Sequence, residues 1–295
     1  MVEKSNMSSL KKILVASDLS SRAEKALARA TQIAREHEAT LTILHVMEDG
    51  ARDEMQAAAT NENALRQILA GLSPQCSEPV TVRVVIGKPF VEIIRHAREE
   101  AADLIIVGAH GAHFIKDVFF GTTAQKIVRK GDRPVLVVKQ TPQGSYRRVL
   151  VTVDFSEDSR LALELALQLA PRAEVHILHV YHGFEDQLRR GGATASELMR
   201  SRRQWVQSAR QELETFLREV NCRDRSVSRI LKYGRAPDVI VKTAKRLRAD
   251  LIAVGTTGRS GLPYILLGSV AEHVLREVKS DVLVTRSGPV HFELP

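Results

Sequence analysis

The sequence contains the same pattern twice, and this internal repeat constrains the fold more than any other feature. Residues 102–111 read ADLIIVGAHG and residues 249–258 read ADLIAVGTTG, which are identical at seven of ten positions. Upstream, KILVASDLS at 12–20 corresponds to RVLVTVDFS at 148–156. Two matching pairs in the same order predict a tandem duplication.

The copies meet near a turn-rich segment, QTPQGSY at 140–146, so we predict one domain over residues 1–141 and another over 142–295. A length of 295 residues fits two domains of about 150 residues each. The offset between copies is 134 for LTILHV (41–46) and VHILHV (175–180), and 147 for the ADLI segments. The second half therefore carries 13 additional residues between its second and third strands.

The composition excludes several classes of protein. Apolar residues make up 44% of the chain and charged residues 26%, which is typical of globular domains, and so few residues are aromatic (4%) that the core is predicted to be aliphatic. The net charge of +8 comes from mixed-sign segments without a zinc-finger or aromatic-basic RNA motif, which disfavours nucleic acid as a partner. Cys76 and Cys222 lack CxxC spacing and are expected to be reduced thiols. Because no membrane segment or signal peptide is recognisable, we expect a cytoplasmic protein.

Each half alternates short apolar runs with helical patterns. Continuous Val, Ile and Leu runs are typical of strands buried on both faces, as in a parallel sheet. The pattern predicts five strands and four helices per half, an α/β fold with a doubly wound sheet of order 3-2-1-4-5. The predicted first-half strands are 12–17, 41–47, 80–86, 103–108 and 134–139.

The insertion in the second half lies in its second helix. Thr194 and Glu197 have the spacing of a capping box, and an apolar stripe continues from Leu198 to Val220. We therefore predict a long packed helix, and we interpret its arginines Arg200, Arg202 and Arg203 as a solvated face.

A glycine pattern, G-x2-G-x9-G-[S/T], follows the fourth strand of each half. The second half has Gly255, Gly258, Gly268 and Ser269; the first half has Gly108, Gly111, Gly121 and Thr122. A glycine at a strand end lets main-chain N–H groups approach an anion, and a helix start carries free N–H groups and a partial positive charge. This combination is suited to phosphate.

An aspartate follows the first strand of each half: Asp18 and Asp154. In the predicted strand order, the first and fourth strands are neighbours at the switch point, so each aspartate should lie beside a glycine loop. A carboxylate there can accept hydrogen bonds from ribose hydroxyls, which indicates a nucleotide site. The alternative is purely structural, because glycines are common turn residues and an Asp before Ser can be a helix cap.

Both halves resemble the universal stress protein family. GTTGRSGLPYILLGSVAEHVL at 255–275 is similar to that family's ATP-binding signature, and VDFSEDS at 153–159 is similar to its first-strand aspartate segment. The resemblance covers essentially the whole chain and implies ATP in the glycine crevice and pairing through the fifth strands. By matching position, the implied nucleotide residues are Asp154, Val180 (through its backbone, toward adenine), Gly255, Gly258, Arg259, Gly268, Ser269 and Val270. Their first-half counterparts are Asp18, Val46, Gly108, Gly111, Gly121 and Thr122.

The first half departs from the family pattern. Ala112 replaces Arg259, and His110 and His113 replace Thr257 and Ser260. Since an arginine is a strong phosphate partner, we expect tighter binding in the second half.

The chain lacks the GxxxxGK[ST] and GxGxxG motifs, so hydrolysis is expected to be weak or absent. Magnesium can accompany the triphosphate through phosphate oxygens and waters alone. The open alternatives are an interaction protein without a nucleotide, and a slow ATPase or autophosphorylating protein using Ser269 or Thr122. His176, His179 and His182 are disfavoured as metal ligands, because their spacing on a strand separates them between faces.

The fifth strands, PVLVVK (134–139) and DVLVTR (281–286), would leave two apolar sheet edges open. Antiparallel pairing of these strands covers both edges and predicts an intramolecular pseudo-dimer. Assembly of two chains into a homodimer is left open by the sequence.

Overall fold

The computed structural model describes residues 10–20, 23–48, 54–72, 80–109, 121–181, 191–220, 226–256 and 267–288. Cys76 and Cys222 lie outside these residues. Within them, no helix combines the length and apolar character that a membrane crossing requires.

The first half alternates strands and helices as predicted, and its strand bounds agree with the predicted runs to within one residue. Its elements are β1 (Lys12–Ala16), α1 (Ala23–His37), β2 (Thr40–Met47), α2 (Glu54–Leu72), β3 (Val80–Ile86), α3 (Pro89–Glu99), β4 (Leu104–Gly108), α4 (Thr122–Lys130) and β5 (Val135–Val138).

The second half repeats the same order of elements. They are β6 (Arg148–Val153), α5 (Glu157–Leu169), β7 (Glu174–Tyr181), α6 (Ala195–Glu219), β8 (Val227–Tyr233), α7 (Ala236–Leu247), β9 (Leu251–Gly255), α8 (Ser269–Glu277) and β10 (Asp281–Thr285).

The described strands form one ten-stranded sheet in the order β3-β2-β1-β4-β5-β10-β9-β6-β7-β8. Each half has the order 3-2-1-4-5 with parallel neighbours, which confirms the predicted doubly wound fold. The halves meet through β5 and β10, which pair antiparallel with Leu136 opposite Leu283. The predicted pseudo-dimer is therefore confirmed, and the two sheets continue into one another.

Helices cover both faces of the sheet, and aliphatic side chains fill both layers. One layer contains Leu27 of α1 and Leu163 of α5, and the other contains Ile127 of α4 and Val274 of α8, all 2% exposed or less. An apolar sheet buried on both faces gives the near-continuous Val, Ile and Leu runs seen in the sequence. The prediction of an aliphatic core is confirmed.

A buried polar cluster joins the halves at the seam between β5 and β10. The fully buried Asp281 carboxylate accepts hydrogen bonds from the Tyr146 hydroxyl at 2.7 Å and from the Lys139 main-chain N–H at 2.8 Å. The Arg29 guanidinium lies 3.4 Å from the same carboxylate and 4.1 Å from the centre of the Tyr146 ring. Arg29 of the first half thus neutralises the charge of a second-half carboxylate.

The long helix predicted for the insertion is present as α6. Its capping box is formed, because the Thr194 side chain accepts from the Glu197 N–H and the Glu197 carboxylate accepts from the Thr194 N–H at 2.7 Å. The buried residues of α6 begin only at Ala209, and Trp205 is half-buried. Its N-terminal half therefore contributes little to the core.

Candidate functional site

Three second-half positions named by the sequence meet at the carboxyl edge of the sheet. The register pairs Val151 of β6 with Ala253 of β9, and it also pairs Val153 of β6 with His179 of β7. Asp154, Val180 and Gly255 follow or end these strands, so they lie side by side at this edge. The first half has the same arrangement near the ends of β1, β2 and β4. The equivalent positions there are Asp18, Val46 and Gly108.

Each aspartate organises the turn that leads into the next helix. Asp154 Oδ1 accepts from the Ser156 N–H at 3.1 Å and from its hydroxyl at 2.5 Å. Asp18 Oδ1 accepts from the Ser20 N–H at 3.1 Å and from its hydroxyl at 2.6 Å. The serines in turn cap the helices, since the Ser156 side chain accepts from the N–H of Ser159. Each carboxylate is thereby held at the sheet edge, and the structural interpretation of these aspartates applies alongside any binding role.

Matched histidines support the same turns from the neighbouring strand. His179 Nδ1 lies 2.8 Å from the Val153 carbonyl oxygen, and His45 Nδ1 lies 2.8 Å from the Ser17 carbonyl oxygen. A carbonyl oxygen only accepts, so Nδ1 donates in both cases. These histidines fix the main chain just before each aspartate. Within the described residues no cluster of His, Cys, Asp and Glu could hold a metal ion, and His182 lies outside them.

The glycines flanking each loop close its base through the main chain. In the second half, the Gly268 N–H donates to the Thr256 carbonyl at 2.7 Å. A side chain on Gly268 would bring a Cβ to 2.6 Å from that carbonyl oxygen, so only glycine permits this approach. In the first half, the Gly121 N–H donates to the Ala109 carbonyl at 2.8 Å. Three predicted site residues lie outside the described residues: Gly111, Gly258 and Arg259.

The helices that follow the loops begin without a side-chain cap. Gly268 is the N-cap of α8 and Gly121 is the N-cap of α4, and neither offers a side-chain acceptor. The first side chains of these helices, Ser269 and Thr122, are exposed, and Val270 is half-buried. The helix N–H groups and the partial positive charge therefore face the loop, where an anion would be stabilised.

A buried polar cluster behind the second-half loop is absent from the sequence-based prediction. The Asp158 carboxylate accepts from the Thr256 hydroxyl at 2.8 Å and from the N–H and hydroxyl of Ser287, both at 2.6 Å. Arg286 Nε donates to the Thr256 hydroxyl oxygen at 3.1 Å, and burial lowers the pKa of Arg286. Gly255 lies against Asp158, where a Cβ would come within 2.7 Å of the Asp158 Cβ. The cluster fixes the loop's first residues.

Comparison with known proteins identifies the family. The sequence model of the universal stress protein family matches this chain twice, over residues 9–139 and 145–286. The chain belongs to the universal stress protein family. The two matches show that it is a tandem member with two copies of the family's domain.

Several universal stress proteins align with most of the chain. It is 26% identical to universal stress protein E of Salmonella typhi, over 74% of this chain and 71% of that protein. It is 27% identical to a universal stress protein of Mycobacterium tuberculosis, over 79% of this chain and 77% of that protein. The fold is also similar to the crystal structure of a functionally unknown protein from Pseudomonas aeruginosa PAO1, with a TM-score of 0.69 and 26% sequence identity. The superposition covers 95% of this chain and 93% of the other chain.

Comparison of the two repeats does not reveal the Asp158 cluster. Thr285 also belongs to this cluster, because its hydroxyl donates to the Asp158 main-chain carbonyl at 2.7 Å. The first-half positions that match Thr256 and Thr285 hold Ala109 and Val138, which are buried and apolar. Because the two halves have different residues at these positions, the repeat gives no indication of a polar cluster there. The sequence signal for it is the polar TRS run at 285–287, which begins with the last residue of β10.

Proposed function

We propose that this universal stress protein is a cytoplasmic stress-response regulator that binds ATP at the carboxyl edge of its sheet, with weak or no hydrolysis. The supporting observation is the loop base, where Gly268 closes onto the Thr256 carbonyl and begins a helix without a side-chain cap. The same arrangement recurs at Gly121, beside the first-half aspartate.

The residues present fit a nucleoside triphosphate. Main-chain N–H groups of Ser269 and Val270 at the start of α8, together with the Ser269 hydroxyl, would hold phosphate oxygens. Asp154 would accept from ribose hydroxyls, and the Val180 main chain would meet the adenine. Arg259 would add a guanidinium in the proposed second-half site. When bound, ATP supplies the negative charge that this edge is built to receive, and magnesium would be held through its phosphate oxygens.

The carboxylates beside the second-half loop are already engaged in hydrogen bonds. Asp154 accepts from Ser156, and Asp158 accepts from Thr256 and Ser287. A general base for hydrolysis has to accept a proton from an attacking water. Because both carboxylates serve to organise the loop, weak turnover is the expected behaviour.

The proposal is tested by mass analysis of ligand extracted from the purified full-length protein, followed by calorimetric titration with ATP. We expect an adenine nucleotide in the extract and a tighter site in the second half. Asp154→Asn keeps an acceptor for Ser156, so it should weaken the tighter site without unfolding the turn. The matched variant Asp18→Asn should weaken only the other site. Absence of both extracted nucleotide and titration heat would favour the interaction-protein alternative and contradict this proposal.

Hydrolysis and autophosphorylation are tested separately. The exposed Ser269 hydroxyl at the start of α8 is the second-half group to which a phosphoryl group could be transferred. We expect slow phosphate release and no phosphoserine in the intact-mass spectrum of the wild-type protein. Stoichiometric labelling that disappears in Ser269→Ala would instead identify an autophosphorylating protein.

A further inference from the structure

A separate cavity lies beside the middle of α6, next to arginines that the sequence analysis interpreted as a solvated face. It has a volume of about 870 Å³ and is bounded by α6 and by the ends of β7 and β8. Its lining includes Arg203, Arg210, Tyr181 and Tyr233. This volume lies within the range of about 300–1,000 Å³ that is usual for small-molecule sites.

The cavity is distinct from the candidate nucleotide site at the glycine loop. Side chains alternate between the faces of a strand, and Val180 packs in the layer that contains α7 and α8. Tyr181 therefore points to the opposite face, the one covered by α5 and α6. Tyr233 is on this same face, because Val227 and Leu231 of β8 pack in that layer.

The described lining of the cavity is strongly basic. Arg202, Arg203 and Arg210 line it from one helix, and none of its described lining residues is acidic. Arg203 and Arg210 make no hydrogen bond or ion pair with another residue of the described ranges. Two guanidinium groups with no carboxylate partner among the described residues can bind a phosphate in the bidentate geometry that arginine favours.

An aromatic pair forms the wall at the sheet end. Tyr181 and Tyr233 are opposite one another in the β7–β8 register, with ring centres 5.8 Å apart. Tyr233 is 45% exposed, so its ring is accessible to a ligand that enters the cavity. Planar rings of ligands stack on such surfaces, and glutamine side chains such as Gln207, which also lines the cavity, can bond their edges.

The first half lacks these features at the corresponding places. Met47 and Ile86 are the paired residues at the ends of β2 and β3, where the second half has its tyrosines. The helix that follows β2 has 19 residues, whereas α6 has 25. The cavity chemistry therefore belongs to the inserted helix and its tyrosine wall, and is not a general feature of the repeat.

We propose that this cavity binds a small phosphorylated molecule with a planar ring, of the nucleotide class, through phosphate contacts to Arg203 and Arg210 and stacking on Tyr181 and Tyr233. One cavity with a single aromatic pair matches one ring better than a strand of successive bases. The inference does not depend on nucleotide binding at the glycine loops.

The test is photolabelling of the full-length protein with 8-azido-ATP, followed by mapping of the labelled peptides. We expect label on peptides from α6 or containing Tyr181 or Tyr233. Arg203→Glu with Arg210→Glu should reduce this label at least about tenfold, equivalent to about 1.4 kcal/mol. Lys242→Glu with Lys245→Glu makes the same charge change on exposed residues of α7, across the sheet, and should leave the label unchanged.

The aromatic wall and the ligand class are tested by variants and competitors. Tyr181→Met with Tyr233→Ile restores the first-half residues and should also reduce the label. ADP should protect the cavity peptides better than tripolyphosphate, because only ADP has a ring. Equal protection by both anions, or stronger protection by a single-stranded oligonucleotide than by ADP, would overturn the assignment.

Two further results bear on the proposal. Label confined to glycine-loop peptides would overturn this inference while leaving the proposed function intact, since the two sites give different peptides. If the charge-reversal variant melts at a lower temperature than wild type, Arg203→Gln with Arg210→Gln provides the milder comparison. Unchanged labelling of a folded variant lacking both arginines would also overturn the proposal.

Discussion

The residue that follows each strand-end aspartate has an uncommon backbone conformation. Phe155 has a φ of 68° and Leu19 has a φ of 62°, in the left-handed region that bulky side chains seldom adopt. Phe155 is held there by packing against His179, with ring centres 4.3 Å apart, and against Phe216. The same strained turn in both halves keeps Asp18 and Asp154 at the sheet edge, which is typical of functional sites.

The close contact of Gly255 with Asp158 predicts a loss of stability when Gly255 is replaced. Gly255→Ala places a Cβ 2.7 Å from the Asp158 Cβ and 3.1 Å from its carbonyl carbon. Because neither neighbour is a flexible side-chain end, we expect a loss of about 1–3 kcal/mol in the free energy of unfolding. Urea denaturation of the variant and the wild-type protein measures this difference in the free energy of unfolding.

Gly71→Ala is the matched control. Gly71 lies in α2 with no atom within 4 Å of the added Cβ, so helix propensity should stabilise the protein by up to about 1 kcal/mol. Equal stability of Gly255→Ala and wild type would show that α5 can move away from the loop, contrary to the tight contact described here.

At the scale of elements, helix α6 is divided into two parts with different support. Its C-terminal part is packed against the core. The buried residues there are Ala209, Leu213, Phe216 and Leu217. Its N-terminal part has no buried residue and is stabilised by the capping box at Thr194 and Glu197. The sequence predicted the helix and its cap correctly. It could not show that the apolar stripe is only half-buried at Trp205, because periodicity does not report the distance to the sheet.

The capping box should therefore control local opening of α6 rather than global stability. Thr194→Ala removes the acceptor for the Glu197 N–H and should cost the first turns about 1 kcal/mol. We expect faster amide hydrogen exchange over residues 195–206 with little change from Ala209 onward, measured by mass spectrometry. Ser208→Ala, on the exposed side of the same helix, is the control. Uniformly faster exchange along α6 would contradict the division.

The repeat predicted the strand order, the fifth-strand pairing and the arrangement of aspartates and glycines at one edge, because these depend on features that both halves share. The Asp158 cluster could not be predicted, since it joins three segments that are far apart in the chain and differ between the halves. The domain boundary at residue 141 and the nucleotide contacts stay predictions.

At the scale of the whole molecule, the seam depends on Asp281. Removing this fully buried carboxylate in Asp281→Ala would leave Arg29, and the Tyr146 hydroxyl, without their common partner. Breaking a buried ion pair costs about 3–5 kcal/mol. Thermal or urea unfolding should therefore show a large loss for Asp281→Ala and a smaller one, about 1–2 kcal/mol, for Tyr146→Phe. Similar losses for both would contradict the central role of the carboxylate.

The seam also predicts a dependence of stability on pH. Burial lowers the pKa of Lys139 from 10.5 to about 8, although Asp281 and Glu277 oppose the shift. Between these values the unfolded chain holds the proton more often than the folded protein, so the free energy of unfolding should rise with pH. Burial raises the pKa of Tyr146 well above 10, which favours the unfolded state only once the pH exceeds about 10.

Urea denaturation from pH 8 to 10 tests this expectation. The wild-type protein should gain stability across the window by a contribution that Lys139→Met lacks. Lys245→Met, at an exposed lysine of α7, is the control and should retain the wild-type slope. Parallel pH profiles for all three proteins would show that Lys139 titrates outside the window.

The residue just after each half's fifth strand reaches the far end of the other half's glycine-loop helix. Lys139 Nζ donates to the Leu275 carbonyl and, at 2.7 Å, to the Val278 carbonyl at the end of α8, while Arg286 donates to the Arg129 carbonyl of α4 at 2.9 Å. Each of these helices has nine residues and is about 14 Å long. It belongs to one half, and its C-terminal carbonyl groups accept hydrogen bonds from a cationic side chain of the other half. An axial displacement at the start of either helix would change a hydrogen bond made by the opposite copy, so we expect the duplicated halves to respond to a ligand together.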